Sequence, residues 1–526
     1  MDQETLHKAL LKPEAFPEAH GPVEFRETHA SRLYFVDNQV FKVKKPVDFG
    51  FLDFTSLDRR RFFCNEEVRL NRRLCPEIYL GVAEIRRTGN RIAVNGPGKV
   101  IDYAVVMKQL PEDRLLSGLL TRNDPSLPEK MTTLAHRIAA FHESREVFRS
   151  KPGHSHLEVI LSNWQENFSQ TARFIDRTIP RKAFDFLRDW VDQFLQDRKP
   201  LLLQREAEGF VRDGHGDLHC EHICFTEPIC IYDCIEFNRR FRIADILADL
   251  AFLLMDLEFR NRRDLAAILL TAYLGKNGGT QNLEQLLDFY KIYRAWVRGK
   301  VESFLSEAPA AGNRTRSEAA ARATRYFNLA LGYLCRPALI ATCGLMGTGK
   351  TTIGEALAQS TGGELLRSDV LRKEIAGLSP DTKQPVEYGQ GIYDPHFSDK
   401  TYALLQERAL AVLAKGRMVI ADASFARRRQ RETFRQAAEG SGVPFLLLHV
   451  TCDRETALAR LDLRRSRGKD ASDGRRELYD RQEREFESPG AKEEVFRLDT
   501  GNPREKNVAD ILCILLERFG SRTRRT

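Results

Sequence analysis

The segment Gly344-Leu-Met-Gly-Thr-Gly-Lys350-Thr351 fits G-x-x-x-x-G-K-[ST] with nothing missing. Its glycines let the backbone N–H groups of Gly344, Leu345, Met346, Gly347, Thr348 and Gly349 turn inward around phosphate oxygens. Lys350 then neutralises the β- and γ-phosphates and the Thr351 hydroxyl ligates Mg²⁺. Thr352 opens a helix whose N-terminus adds a positive dipole end. A chance Gly-rich turn is the plain alternative. The apolar strand Ala338–Thr342 before the loop and the helix Thr352–Gln359 after it argue for nucleotide binding instead.

Further carboxylates follow at strand ends. In Leu365-Leu-Arg-Ser-Asp369-Val-Leu-Arg372, Asp369 could accept the proton of a substrate hydroxyl while Arg372 holds an anionic group. Asp369 could also cap a helix running from Val370 to Gly377. Arg417-Met-Val-Ile-Ala-Asp422 reads as a buried strand ending where a magnesium-water or catalytic Asp belongs. Arg460, Arg464 and Arg467 recur three or four apart on a helix from Thr456, so they share a face. They could form a lid over transferring phosphate, or simply a solvated basic face.

A second constellation lies earlier, in Asp213-Gly-His215-Gly-Asp217-Leu-His219-Cys-Glu-His222. An apolar strand ending in Asp233 follows, sixteen residues after Asp217. Phosphoryl transfer needs such a pair, one Asp orienting the acceptor hydroxyl and the other holding Mg²⁺ against the phosphates. Zinc is the competing reading, since three histidines and Cys220, Cys224, Cys230 and Cys234 crowd this stretch. No paired C-x₂-C spacing appears, and buried free cysteine accounts for the thiols.

Composition bounds these readings. The 526 residues exceed what one hydrophobic core supports. With 42% hydrophobic and 30% charged residues the chain is ordinary globular protein, not disordered or fibrous. Lys+Arg 82 against Asp+Glu 74 gives +8, which suits anionic ligands such as nucleotides without requiring nucleic acid. The basic tail 522–526 reads as a frayed end. No apolar run is long enough for a membrane span, the N-terminus lacks a signal-peptide pattern, and ten cysteines are too few for a disulfide scaffold. A cytoplasmic protein with no membrane partner is expected.

The elements that must position these residues fall into two domains. Residues 1–303 comprise a strand-rich lobe, about 24–110, and a helical lobe, about 111–303. Residues 304–335 form a linker and a helix, Ser317–Arg325, and 336–526 alternate strands with helices. In the first lobe Leu33–Val43 is a hairpin turned at Asp37-Asn38, Arg59–Leu74 is an amphipathic helix, and Tyr103–Met107 is a strand. Strand alternation puts Lys42 and Lys44 on one face.

Residues 336–520 resemble the P-loop small-molecule and polynucleotide kinases, including zeta-toxin-like and gluconate-kinase-like groups. The resemblance rests on the phosphate loop, on Ser-Asp-x-x-Arg at 368–372 and on Ile-Ala-Asp-Ala at 420–423. It implies that Asp369 handles the acceptor hydroxyl. Residues 24–303 resemble the aminoglycoside phosphotransferase and choline-kinase-like branch of the protein-kinase fold, through His215-Gly-Asp217, Asp233 and Asp249. That resemblance implies Asp217 as base, Asp233 as metal ligand and Asp249 as a structural carboxylate. His222 stands where the family has Asn, and imidazole ligates Mg²⁺ poorly. Lys42 or Lys44 would reach the α/β-phosphates and pair with Glu66 or Glu67, Lys42 with Glu67 being preferred. Thr28–Ser31 would cover the phosphates, and Met107–Pro111 would be the hinge that binds adenine.

The whole looks like bacterial bifunctional proteins joining these two modules. The fold expected is α/β and α+β, a two-lobed kinase-like domain followed by a P-loop domain with a parallel sheet. The function expected is ATP- and Mg²⁺-dependent phosphoryl transfer to a small-molecule hydroxyl. The rivals are a P-loop kinase or ATPase regulated by a non-catalytic sensor domain, and a kinase acting on nucleic-acid ends.

Overall fold

A computed structural model describes residues 2–17, 20–150, 155–277, 283–309, 312–379, 382, 390–467, 472, 474–490 and 493–521. The basic tail 522–526 lies outside them, as do the side chain of Arg467 and part of the connection before the helix Asn313–Gly332. The chain divides into two compact units. Met1–Asn163 with Gln196–Lys291 form the first, and Trp164–Leu195 with Ile292–Thr526 form the second.

In the first unit, β1 (Glu24–Glu27), β2 (Ser31–Val36), β3 (Gln39–Lys44), β4 (Tyr79–Thr88), β5 (Arg91–Val94) and β6 (Lys99–Lys108) make one antiparallel sheet. Its order is β1-β2-β3-β6-β4-β5. The β2–β3 hairpin turns at Asp37-Asn38, where Asp37 takes a φ of 52°, a backbone state that short polar side chains tolerate. The helix Leu57–Asn71 starts at Ser56, whose hydroxyl accepts the Arg59 N–H at 3.2 Å. It lays Cys64 and Val68 against Tyr79, Tyr103 and Val105 of the sheet. Helices then dominate, broken by β7 (Val211–Asp213), β8 (Ile223–Cys224), β9 (Cys230–Ile231) and β10 (Ile243–Asp245), which pair as β7–β10 and β8–β9.

The cysteines require a correction. Cys230 is not a free buried thiol, because it is disulfide-bonded to Cys75. The partner comes from the turn after the helix Leu57–Asn71, 155 residues earlier, so local spacing around 220–234 cannot reveal it. Among the described residues the other eight cysteines are free, and seven of those are buried.

The second unit contains a fully parallel sheet of β11 (Leu339–Cys343), β12 (Glu364–Arg367), β13 (Val419–Asp422), β14 (Phe445–Thr451) and β15 (Val495–Asp499). The order β12-β13-β11-β14-β15 puts β11 at the centre, and each of its five residues is buried. That is what an uninterrupted apolar strand with both faces covered requires. Phe425 and Phe434 pack edge to face under the sheet at 4.8 Å.

The helix after the linker runs Asn313–Gly332, longer than the stretch Ser317–Arg325 expected from composition. The Arg314–Glu318 pair supports its exposed start, and buried Tyr326, Phe327, Leu329 and Leu331 carry its last turns. Gly332 is where this helix meets the end of the helix Lys350–Thr361. A Cβ there would lie 1.9 Å from the Ser360 carbonyl oxygen, a backbone atom with no freedom to move away. Gly332→Ala is therefore expected to destabilise the full-length chain by about 1–3 kcal/mol or more, read as a lower urea midpoint. Gly275→Ala, on a helix with nothing within 4 Å of the new methyl, is the control and leaves the midpoint unchanged or raised.

Candidate functional site

The phosphate loop leaves β11 and enters the helix Lys350–Thr361. Gly344, Gly347 and Gly349 take φ values of 141°, 80° and 89°. At Gly347 a Cβ would sit 2.6 Å from the Ala457 carbonyl oxygen, so the position demands glycine on both conformation and space. Leu345 and Met346 pack on Ala457, Leu461 and Tyr479. The Thr348 hydroxyl donates to the Leu345 carbonyl at 2.8 Å. The Lys350 ammonium donates to the same carbonyl at 2.7 Å. Thr352 is exposed on the first turn.

Strand order brings the carboxylates alongside. Asp422 ends β13 in register with Thr342 of β11 and Arg367 of β12. It is 6% exposed. It accepts the Thr351 hydroxyl at 2.6 Å and the Thr342 hydroxyl at 3.2 Å. Burial pushes the Asp422 pKa up, opposed by the Thr351 hydrogen bond and by Lys350. Burial also pulls Lys350 below the ordinary lysine value, with Asp422 and Asp369 opposing. A hydroxyl and a carboxylate in contact form an oxygen-only donor pair, which fits Mg²⁺.

Asp369 lies in the first turn of the helix Ser368–Ile375. The capping alternative does not hold, because the helix starts before Asp369, at Ser368, and Arg367 occupies the N-cap without a side-chain bond. Arg372 is buried and turned toward its own scaffold, where it donates to the Ile392 carbonyl at 2.6 Å and the Ser398 hydroxyl at 3.1 Å. Its guanidinium also lies over the Tyr393 ring at 4.8 Å. The two hydrogen bonds use Nη1 and tie Arg372 to the segment 392–398, while its Nε is buried with no hydrogen-bond partner among the described residues. The helix Arg454–Arg467 carries Arg460, which donates to the Thr500 hydroxyl and carbonyl, and Arg464, which donates to the Gly474 carbonyl.

Three further side chains support this loop. Gln482 accepts the Met346 N–H at 2.7 Å, Thr500 donates to the Thr348 carbonyl at 2.8 Å, and Thr342 supports Asp422. Only Thr342, two residues before Gly344, was within reach of sequence reasoning.

In the first unit Lys42 and Lys44 of β3 converge on Glu67. Lys42 Nζ lies 2.8 Å from Glu67 Oε1 and 2.6 Å from Asp233 Oδ1, and Lys44 Nζ lies 2.6 Å from Glu67 Oε2. Lys44 also pairs with Glu236, a carboxylate the sequence reading did not single out. Glu66 instead pairs with Arg69 on the surface of the helix. Burial opposes charge on Lys42, but Asp233 and Glu67 outweigh it and raise its pKa. Burial likewise works against the Asp233 carboxylate, and Lys42 and His222 hold it below the usual range. Met107 is a partly buried side chain near the end of β6, and Thr28–Ser31 forms a tight turn bonded to itself.

The loop 213–222 is ordered from below. Asp249, on the helix Ile246–Phe259, accepts the His215 and Gly216 N–H groups at 2.6 and 2.8 Å. Asp213 is clamped by Arg73 and Arg242. Asp217 Oδ2 lies 3.6 Å from His219 Nε2 and 3.5 Å from His222 Nδ1, and His222 Nε2 lies 3.5 Å from Asp233 Oδ2. Burial, then the neighbouring His219, lowers the His222 pKa.

A family model described as an AAA domain matches residues 339–489. The C-terminal half carries a P-loop domain. Over the whole chain, the uncharacterized proteins Rv2004c of Mycobacterium tuberculosis (strain ATCC 25618 / H37Rv) and Mb2027c of Mycobacterium bovis (strain ATCC BAA-935 / AF2122/97) are each 28% identical over 502 residues. The match covers 94% of this chain and 96% of theirs. Among solved structures, a gluconokinase from Sinorhizobium meliloti 1021 is 21% identical, covering 34% of this chain and 93% of its own, with a TM-score of 0.26. A shikimate kinase from Aquifex aeolicus vf5 is 18% identical, covering 34% and 96%, with a TM-score of 0.24. Among the described residues no helix is long and apolar enough to cross a membrane.

His215 gives the site a pH signature. Its Nε2–H donates to the Tyr232 carbonyl at 3.0 Å and its Nδ1 accepts the Asp217 N–H at 3.2 Å, which uses up the neutral ring. Burial accordingly depresses its pKa to about 4. Between the ordinary histidine value of about 6.5 and about 4, the unfolded chain binds a proton that the folded chain refuses. Stability from neutral His215 is therefore complete above pH about 6.5 and is withdrawn as pH falls toward about 4, by of order 3 kcal/mol. Urea midpoints at stepped pH should show this slope in the native chain and a shallower one in His215→Gln.

Proposed function

We propose that the chain is an ATP-dependent phosphotransferase whose P-loop domain transfers the γ-phosphoryl group to a hydroxyl of a small molecule. The observation that carries this reading is the Thr351–Asp422 contact of 2.6 Å. It sets a hydroxyl and a carboxylate beside the phosphate loop, with Asp369 in the first turn of the helix that follows strand β12. Thr351 and Asp422 would hold Mg²⁺, which supplies charge neutralisation across the β- and γ-oxygens. Lys350 would exchange the Leu345 carbonyl for phosphate. Asp369 takes the proton of the attacking hydroxyl as its oxygen bonds to the γ-phosphorus and the bond to the β–γ bridging oxygen breaks, releasing ADP. Arg460 and Arg464, from the helix behind the loop, are the cations available to the transferred group.

We infer a second phosphotransfer site in the first unit, of the aminoglycoside-phosphotransferase-like kind. The Lys42–Glu67 ion pair, Asp233 beside it and the Asp249-braced loop that presents Asp217 support it. Asp217 is the base in this reading, and Met107 adjoins the adenine. The acceptor is a small molecule rather than nucleic acid, and the compartment is the cytoplasm, which the eight free thiols favour.

ATP consumption against a panel of sugars, amino alcohols, nucleosides and aminoglycosides tests the proposal. In an Asp217→Asn background, which silences the first-unit site, Lys350→Ala and Asp369→Asn are each expected to lower acceptor-dependent turnover by about a hundredfold or more, Asp369→Asn with nucleotide affinity retained. ATP hydrolysis that no acceptor accelerates, or full turnover by Asp369→Asn in that Asp217→Asn background, would overturn it.

A further inference from the structure

The donor set in the first unit does not match the cation that the second unit fits. His222 Nδ1 lies 2.9 Å from the Asp217 carbonyl oxygen. A carbonyl oxygen only accepts, so Nδ1 carries the hydrogen, and in the neutral ring Nε2 is left with its lone pair. That nitrogen faces Asp233 Oδ2 at 3.5 Å, while Asp233 Oδ1 is taken by Lys42. Two acceptors facing each other across this distance are reconciled by a cation between them. Metal–ligand bonds of about 2.1 Å separate neighbouring ligands by roughly 3.0 Å in an octahedron and 3.4 Å in a tetrahedron, so 3.5 Å needs almost no adjustment. A ring whose other N–H is spent on a backbone carbonyl is also the usual arrangement of a metal-ligating histidine.

Among the described residues, Asp217, His219 and His222 form a group of potential ligands whose donor atoms lie within 4.8 Å of one another. His219 accepts the Glu221 N–H on Nδ1 at 3.3 Å, which turns its Nε2–H toward Asp217. As placed, His219 orients Asp217, and the donor edge open to a cation is that of His222 with Asp233. Charge agrees. Lys42 and Lys44 stand among the carboxylates of Glu67, Glu236, Asp233 and Asp217, so a divalent cation brings the cluster to balance.

We propose that His222 Nε2 and Asp233 Oδ2 bind a first-row transition-metal dication such as Mn²⁺ or Co²⁺ in preference to Mg²⁺. Magnesium favours all-oxygen coordination, whereas imidazole nitrogen favours the transition metals. The proposal rests on the reading of Asp233 as a metal ligand, and the test separates the two.

The test uses the full-length, chelator-treated chain with Mn²⁺ and pyrophosphate, which contains no nitrogen. Electron spin-echo modulation is expected to show ¹⁴N coupling to Mn²⁺ in the native chain and none in His222→Asn. The oxygen donors Thr351 and Asp422 of the second unit contribute no such signal. Calorimetry with Co²⁺ and Mg²⁺ should show about a tenfold or greater preference for Co²⁺ that collapses in His222→Asn. Asp233→Asn is the separating arm. If it abolishes one class of cation sites while His222→Asn changes neither coupling nor preference, the transition-metal inference is overturned and Asp233 stands as a ligand. If Asp233→Asn changes no cation uptake, both fall. Circular dichroism melts of the variants establish that each is folded.

Discussion

A carboxylate at the end of a buried strand costs free energy unless hydrogen bonds replace its water, and the P-loop domain is arranged around that constraint. Asp422 ends β13 with little solvent access, so its oxygens depend on hydroxyls from neighbouring segments. Thr342 supplies one from the adjacent strand β11, and Thr351 supplies the other from the helix that the phosphate loop begins. The second bond does more than satisfy Asp422. It ties the start of the phosphate-binding helix to the neighbouring strand, so loop and carboxylate share one frame. The glycines between β11 and that helix then need only conformational freedom, because both ends of the loop are already held.

The first unit answers the same constraint with charge instead of hydroxyls. Glu67 is fully buried, and two lysines from one strand face divide its oxygens between them. Removing either lysine would leave a carboxylate partly uncompensated, which in buried pairs costs about 3–5 kcal/mol. Lys42 also reaches Asp233, so β3, the helix Leu57–Asn71 and the residues after β9 meet through a single ammonium group. Asp249 plays the corresponding part beneath the loop by accepting two successive backbone N–H groups, those of His215 and Gly216, just before Asp217.

Contiguous features were legible in the sequence and convergent ones were not. The phosphate loop lies within eight residues and its chemistry is local, so spacing alone exposes it. Strand alternation put Lys42 and Lys44 on one face. It did not choose between Glu66 and Glu67, since adjacent helical residues point about 100° apart and only packing decides which one is buried. Arg372 carries a contact of the same hidden kind, because the segment 392–398, distant in sequence, takes its Nη1. Gln482, Thr500 and the Cys75–Cys230 bond are hidden for the same reason, each being a pairing between segments that share no pattern. Asp369 erred by one residue of helix boundary, which sufficed to remove its capping role.

The two sites follow one rule with different donors. Each atom proposed to face a metal is aimed by a second bond on the same residue or its partner. Thr351 is held on Asp422, and His222 is held through Nδ1 on the Asp217 carbonyl while Nε2 looks toward Asp233. An asparagine in place of His222 would present an amide oxygen, a hard donor like those of the P-loop domain. The imidazole presents a nitrogen whose lone pair is fixed in direction by the backbone of the very residue read as the base. A shift of the Asp217 backbone therefore moves the carboxylate proposed as base and re-aims the proposed metal donor together. Coupling of this kind follows from one hydrogen bond of 2.9 Å and needs no longer path through the fold.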